Sequence, residues 1–212
     1  MPKVAIDNEV ITVIVIFSVE PERQQELVNV IAQFLETVKQ QPGFVSASIH
    51  KSLDGVKVVN YAQWQSLGDY QSFVADTAVQ AKASKLREFN SPDINIYEVA
   101  ISESKIGTPK IVPGEYITHF AEFRLKPENQ SQMMILAQEN IGKAIKLNGL
   151  ISANFHRSLD GTRVINYGQW RDRQTIENLK QQPGFGAESP YWEGVAENEH
   201  HLYEVVLTEP ID

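Results

Sequence analysis

The chain is written twice. His50-Lys-Ser-Leu-Asp-Gly-Val-Lys-Val-Val-Asn-Tyr-Ala-Gln-Trp64 returns 106 positions later as His156-Arg-Ser-Leu-Asp-Gly-Thr-Arg-Val-Ile-Asn-Tyr-Gly-Gln-Trp170. The same offset relates Phe17 to Phe123, Pro21 to Pro127, Gly43 to Gly149 and Tyr97 to Tyr203. A period this long is a whole small domain rather than a solenoid unit, so the copies are expected to face each other as a homodimer's subunits would. The expected product is a pseudo-dimer within one polypeptide, with association of two such chains left open.

Both copies carry the same order of elements. An apolar strand (10–17, and 116–123) precedes a proline suited to a helix start, Pro21 or Pro127. Leu27, Val28, Ile31, Phe34, Leu35 and Val38 then recur at helical spacing until Pro42-Gly43. Met133, Met134, Ala137, Ile141 and Ile145 repeat that stripe, and both read as core-facing rather than as cofactor contacts. A hairpin follows (45–52 with 56–64), turned at Asp54-Gly55 and again at Asp160-Gly161. Ser66 or Asp172 caps a second helix, and a last strand (94–101, 202–207) closes the unit.

This βαββαβ order is ferredoxin-like: two helices cover one face of a four-stranded antiparallel sheet. The opposite faces need a cover, and each other is the nearest one. The fold class is therefore α+β, two tandem ferredoxin-like repeats forming an intramolecular pseudo-dimeric α/β barrel. Residues 1–101 form the first repeat and 115–212 the second. Residues 102–114, with Gly107, Pro109, Pro113 and Gly114, read as the linker.

Composition narrows the chemistry. With no cysteine there are no disulfides, thiolate metal sites, iron–sulfur clusters or cysteine nucleophiles. The net charge of -8, with no basic cluster, disfavours nucleic acid. No apolar run approaches the roughly 18 residues of a membrane helix, and Met1-Pro-Lys-Val lacks the features of a secretory signal, so a cytoplasmic protein with no membrane partner is expected. Phosphate-binding loops, a Gly-x-Ser-x-Gly elbow and zinc-type histidine spacing are all missing, so no metal site is expected. Small, uncharged or weakly charged ligands remain.

Side chains alternate along a strand, so Val58, Asn60, Ala62 and Trp64 share the helix-facing side. A two-residue turn at Asp54-Gly55 sets Lys51, Ile49, Ala47 and Val45 across from them, leaving Asn60 as the one amide on an apolar face. An unpartnered amide there costs about 1–3 kcal/mol, so either the fold or a ligand must bond it. Tyr70 follows on the second helix, where with Phe73 and Val74 it also reads as a packing stripe. His50 and His156 fall on the opposite, polar face, and are expected to approach the interface between repeats as bonded histidines.

Asn60 and Trp64 on one strand, followed by Tyr70, resemble the active site of the antibiotic biosynthesis monooxygenase family. Its members are small ferredoxin-like proteins forming dimeric α/β barrels. They include enzymes that oxidise polyketide anthrones to quinones with dioxygen and no metal, flavin or haem. The resemblance covers both repeats. It implies Asn60, Trp64 and Tyr70 as catalytic residues, with Arg87 as the counterpart of an arginine further along. Ile49, Ala62, Phe73, Asn166 and Trp170 are the accompanying substrate-binding candidates.

The implied activity is cofactor-independent oxygenation of a phenolic or anthrone-like polycyclic molecule, with no cofactor and with dioxygen as co-substrate. A non-catalytic binding or stress-associated barrel, with Asn60 a bonded core amide, is the alternative. Haem degradation, known among relatives, fits less well: the first strands offer Val13 and His119 rather than asparagine, and residues 66–89 hold no histidine.

The second copy keeps Asn166 and Trp170 but has Ile176 for Tyr70, Glu193 for Arg87 and Phe155 for Ile49. Residues 181–198, with Pro183, Gly184, Gly186, Pro190 and Gly194, read as a loop instead of a helix. The second pocket is expected to be filled and the first repeat to carry the site. Asparagine in both copies leaves paired sites, or a shared structural amide, open.

Overall fold

The computed structural model describes residues 1–6, 8–180 and 190–210. The first repeat contains β1 (Ile11–Ser18), α1 (Gln24–Val38), β2 (Phe44–Ser52), β3 (Lys57–Trp64), α2 (Leu67–Ala75), α3 (Thr77–Lys82) and β4 (Asp93–Ser104). The second contains β5 (Ile117–Arg124), α4 (Gln130–Ala144), β6 (Leu150–Ser158), β7 (Arg163–Trp170), α5 (Arg173–Lys180) and β8 (Glu197–Glu209). Pro21 and Pro127 each open a short 3-10 turn leading into α1 or α4. Ser66 Oγ accepts from Asp69 N at 3.1 Å, and Asp172 Oδ1 from Thr175 N at 2.7 Å, as expected of helix caps.

The eight strands close into one barrel in the order β1-β3-β2-β8-β5-β7-β6-β4. Within each half the order is ferredoxin-like. The halves are joined by β2 with β8 and by β4 with β6, both antiparallel. Closure leaves no exposed sheet edge, which explains why the last strands run longer than their apolar runs. The start of β4 pairs with β1, from Ile16↔Asp93 to Thr12↔Tyr97, and its continuation pairs with β6 from Tyr97↔Ser158 to Ser104↔Ser152. Residues 102–104, read as linker from the sequence, are thus strand. Their backbone partners lie in the other repeat, where no local pattern could reveal them.

Alternation sorts the side chains into three cores. Ile14, Ile16, Val59, Tyr61, Phe120, Ile165 and Tyr167 fill the barrel. Outside it, α1 packs Leu27, Val28, Ile31 and Leu35 over the first half-sheet, and α4 packs Met133, Ala137 and Ile141 over the second. Inside, His50 Nε2 meets Tyr167 Oη at 2.9 Å and His156 Nε2 meets Tyr61 Oη at 2.9 Å. These reciprocal bonds cross between repeats, as the polar-face placement predicted. Burial pushes both imidazoles down to about 4, so they are neutral near pH 7.

The hairpin register is that of the two-residue turn, with Lys51↔Val58, Ile49↔Asn60 and Ala47↔Ala62. A bulge between Phe44 and Ser46 then brings Phe44, not Val45, opposite Trp64. Each hairpin is clamped by the first residue of the preceding helix. Gln24 Nε2 donates to Ser52 O and Lys57 O at 2.9 and 3.0 Å, and Gln130 Nε2 to Ser158 O and Arg163 O at 2.9 and 3.1 Å. One end of the barrel is sealed where Gln63 donates to Lys3 O and Gln169 to Lys110 O, with Val4 and Ile111 fully buried beside them. Among the described residues no helix is long and apolar enough to cross a membrane.

Candidate active site

Between the first half-sheet and its helices lies a cavity of about 440 Å3. Its floor is β1 and β3, contributing Val13, Val15, Asn60 and Ala62, while Phe34 and Leu35 of α1 form one wall and Tyr70 and Phe73 of α2 another. The segment from Gln80 to Ile94 roofs it. Arg23, beside the start of α1, fixes that roof: its guanidinium lies 4.1 Å from the centroid of the Phe89 ring and Nη1 donates to Glu88 O at 3.4 Å. The lining is mostly apolar, and the size falls within the roughly 300–1,000 Å3 range of small-molecule sites.

Asn60 is flanked by Val15 on β1 and Ile49 on β2, so the sheet presents no polar side chain at its level. Its Oδ1 is sealed from solvent and has no hydrogen-bond partner among the described residues. The acceptor of this amide therefore sits on the cavity floor unsatisfied, an arrangement costing about 1–3 kcal/mol. Elsewhere in the buried polar set the amides are spoken for: Gln63, for example, is bonded to Ser46 and Lys3.

Tyr70 lines the same space, its ring 5.8 Å from Trp64 and 6.2 Å from Phe73. Burial raises its phenol above the ordinary value, so the hydroxyl stays protonated and able to donate. The α2 stripe read as core packing is only half-buried: α2 has no fully buried residue, and Val74 is 48% exposed. Trp64 is 1% exposed, with Phe73 inclined over it at 4.9 Å and 32° and Phe44 edge-on at 5.8 Å. Phe73 covers part of the indole, and Trp64 in turn holds Tyr70 and Phe73 in place at the cavity wall. Arg87 is exposed at the rim, its Nη2 donating to Gln80 O at 3.4 Å.

Of the sequence candidates, the structure gathers Asn60, Ala62, Trp64, Tyr70, Phe73 and Arg87 around one cavity. Ile49 is fully buried in the core behind Asn60 and is not among the lining residues. Asn166 and Trp170 line a different cavity, on the second half-sheet. The roof residues Phe89, Pro92 and Ile94 were not read as site residues; the change from helical pattern to Asn90-Ser91-Pro92 was the available signal for a segment leaving the helix layer.

The second cavity measures about 310 Å3, so the expectation that it is filled is overturned. Phe155 does reach its wall, but three smaller residues make room: Asn140 for Phe34, Ala121 for Val15 and Gly168 for Ala62. Asn166 Oδ1 is buried and unpartnered as Asn60 Oδ1 is. Within the expected loop at 181–198, residues 181–189 lie outside the described residues; residues 191–195 form turns and residue 197 begins β8. Those turns bring Tyr191 and Trp192 to the cavity. Among the described residues no group of histidine and carboxylate side chains is arranged to hold a metal ion.

The pattern of a known family is present in both halves. The antibiotic biosynthesis monooxygenase family model matches residues 10–84 and 116–187. Tetracenomycin-F1 monooxygenase of Streptomyces glaucescens is 37% identical over 103 residues, a span of 48% of this chain and 92% of that protein. A crystal structure of an anthrone oxidase-like protein superposes with a TM-score of 0.88 at 21% identity, covering 99% of this chain and 97% of its own. A major regulator of staphylococcal pathogenesis gives a TM-score of 0.56 at 13% identity over 93% of this chain and 99% of its own. These two structures speak for the fold alone. With the family pattern matched once in each repeat, on a closed barrel of two ferredoxin-like units, the chain belongs to the antibiotic biosynthesis monooxygenase family.

Proposed function

We propose that the first repeat is a cofactor-independent monooxygenase site that oxidises an anthrone-like or phenolic polycycle with dioxygen. The observation that carries this reading is Asn60, its Oδ1 buried without a partner, on the floor of an apolar cavity large enough for fused rings. The similarity to a tetracenomycin-F1 monooxygenase supports the reaction type.

Such a substrate supplies its own electrons. Loss of a proton from its methylene gives an enolate; one electron passes to dioxygen, the radicals combine, and the peroxide loses water to leave a carbonyl. One dioxygen is consumed, one oxygen atom enters the product and the other leaves in water. The Nδ2 of Asn60 donates to the enolate oxygen and stabilises the charge that develops there, in a space where excluded water strengthens the interaction, while Oδ1 is left to accept from a substrate hydroxyl. Tyr70, kept protonated by burial, donates a second hydrogen bond. Trp64 and Phe73 fix the wall that orients the rings. No carboxylate or imidazole is among the described lining residues, so the first cavity stabilises an enolate rather than removing its proton by a side-chain base. Arg87 at the rim favours entry of an anion.

Oxygen uptake and quinone absorbance with anthrone, in the presence of a chelator, test the reading. The unmutated protein is expected to exceed buffer and Asn60→Ala to lose that rate. No rate above buffer with anthrone or with hydroxylated polycyclic anthrones would return the chain to the binding-barrel alternative.

A further inference from the structure

The roof of the first cavity is lightly held. No residue from 80 to 96 is fully buried, and its apolar anchors Leu86 and Phe89 are partly buried against the core beneath. Arg87 Nη2 donates to Gln80 O within the segment itself, and Gln80 Nε2 ties its start to Phe73 O at 3.0 Å. At the far end the tie is Arg23. Glu26 accepts from Nε and Nη2 at 2.9 and 3.1 Å and so fixes the guanidinium plane; Nη1 donates to Glu88 O at 3.4 Å, with the Phe89 ring centre 4.1 Å away. Arg23 is not itself a lining residue and meets the cavity through Phe89. The second repeat ties the corresponding segment from the matching position. Asn129 stands 106 residues after Arg23, and its Nδ2 donates at 3.2 Å to the carbonyl of Val195, the counterpart of Phe89. Two unlike side chains reach this segment from one position of the fold, whereas an Arg23–Glu26 pair alone would serve only the first turn of α1.

We propose that Arg23 is a positioning residue of the first cavity, one that holds Phe89 down over a fused-ring ligand and so sets how fast that ligand leaves. The inference rests on the reading of this cavity as the oxygenase site. Segments with little burial open locally at small cost, so a single outside contact shifts the balance between a lowered and a raised roof. With the roof lowered, Phe89 adds an apolar wall against the rings; with it raised, that wall is lost and water enters. Entry does not need the movement, because Val74 and Ile94 line the cavity and are 48% and 49% exposed, marking its mouth. Loss of Arg23 is therefore expected in release rather than in association. A cation over an aromatic ring at an exposed site is a modest contact, which makes a change of a few fold the expectation.

A product-like quinone, 1,8-dihydroxyanthraquinone, probes the roof without turnover, its binding and release followed by stopped flow. Arg23, with its side chain 41% exposed, can be changed without unseating the core. Arg23→Ala should speed release about threefold with association unchanged. In the ligand-free protein it should speed hydrogen exchange at the Phe89 amide, which bonds Leu86 O, by about fivefold. Arg23→Lys, which keeps a cation for the ring, should restore both to within about twofold. In a Phe89→Ala background Arg23→Ala should have no further effect on release, since the contact acts through that ring. The proposal is overturned if Arg23→Ala leaves release or exchange unchanged, or if its effect on release persists without Phe89. It is also overturned if Asn129→Ala speeds release instead, which would seat the quinone in the second cavity. An unmutated protein that fails to bind the quinone overturns the reading of the cavity, and this inference with it; binding with release unmoved by Arg23→Ala overturns this inference alone.

Discussion

The two cavities are built at equivalent positions on the same strands, yet their polar groups sit on opposite walls. The first has Tyr70 on its helix side and Val13 and Ile94 on its sheet side; the second has Ile176 on the helix side and His119 and His200 on the sheet. Inside the barrel the bonds that cross between repeats are kept, although Ile16 has become the buried, ion-paired Glu122 and Ser48 the hydrogen-bonded Asn154. His50 with Tyr167 mirrors His156 with Tyr61, and the hairpin clamps of Gln24 and Gln130 are matched bond for bond. The difference follows from what each region must do. Interior groups face the other repeat, so a change in one removes the partner of another and leaves it buried and unpaired. Cavity groups face open space, so substitution there breaks no bond to the other repeat. Asn60 and Asn166 are the exception, with Oδ1 buried and unpartnered in both halves.

The largest effect belongs to the symmetric interior. His50 and His156 are neutral in the fold down to about pH 4, whereas an unfolded chain takes up their protons from about 6.5. Stability is therefore complete above pH 6.5 and is lost as pH falls toward 4. Between pH 7 and pH 5 the pair accounts for roughly 4 kcal/mol. Urea unfolding midpoints at several pH values should show that slope; His50→Gln and His156→Gln should each remove half of it. Unequal halves would break the symmetry.

Second comes Asn60. Asn60→Ala should lower kcat with anthrone by about 100- to 1,000-fold, the effect of losing one donor to a developing oxyanion. Asn166→Ala should leave that rate within about twofold. An equal loss in both would erase the division of roles between the cavities.

Third are two matched glycines. Gly43 and Gly149 have φ of 77° and 85°, and a Cβ at either would collide with the side chain of Asp69 or Thr175. Alanine at each should cost about 1–3 kcal/mol, measured as thermal unfolding, with similar values for the two. Asymmetry here would mean that the hairpin-to-helix contact, shared by the backbones, is not shared energetically.

The smallest effect is expected at the rim. Arg87→Ala removes an exposed charge, so KM should rise about two- to fivefold with kcat unchanged. A fall in kcat instead would place Arg87 at the reacting atoms and make the first cavity's electrostatics richer than drawn.

Much of this architecture was legible in the residues. The 106-residue offset, the Asp-Gly turns and the apolar periods fix two βαββαβ units, because turn chemistry and amphipathic spacing act over a few residues. Alternation along β3 was enough to put Asn60 and Trp64 toward the helices and His50 on the inner face. The register of the hairpin followed from its turn, up to the bulge at Phe44. What could not be read is whatever depends on residues meeting from far apart. The exchange of β4 and β8 between repeats, the contact of Phe73 with Trp64 and the roof held by Arg23 are of this kind. So is the open second cavity, where a bulkier Phe155 is offset by Asn140, Ala121 and Gly168 from three other elements. Local propensity and period were thus determined by the sequence itself. Strand pairing between repeats, cavity volume and the isolation of an amide were decided only by the tertiary structure, because packing is a sum over neighbours that the chain brings together only once folded.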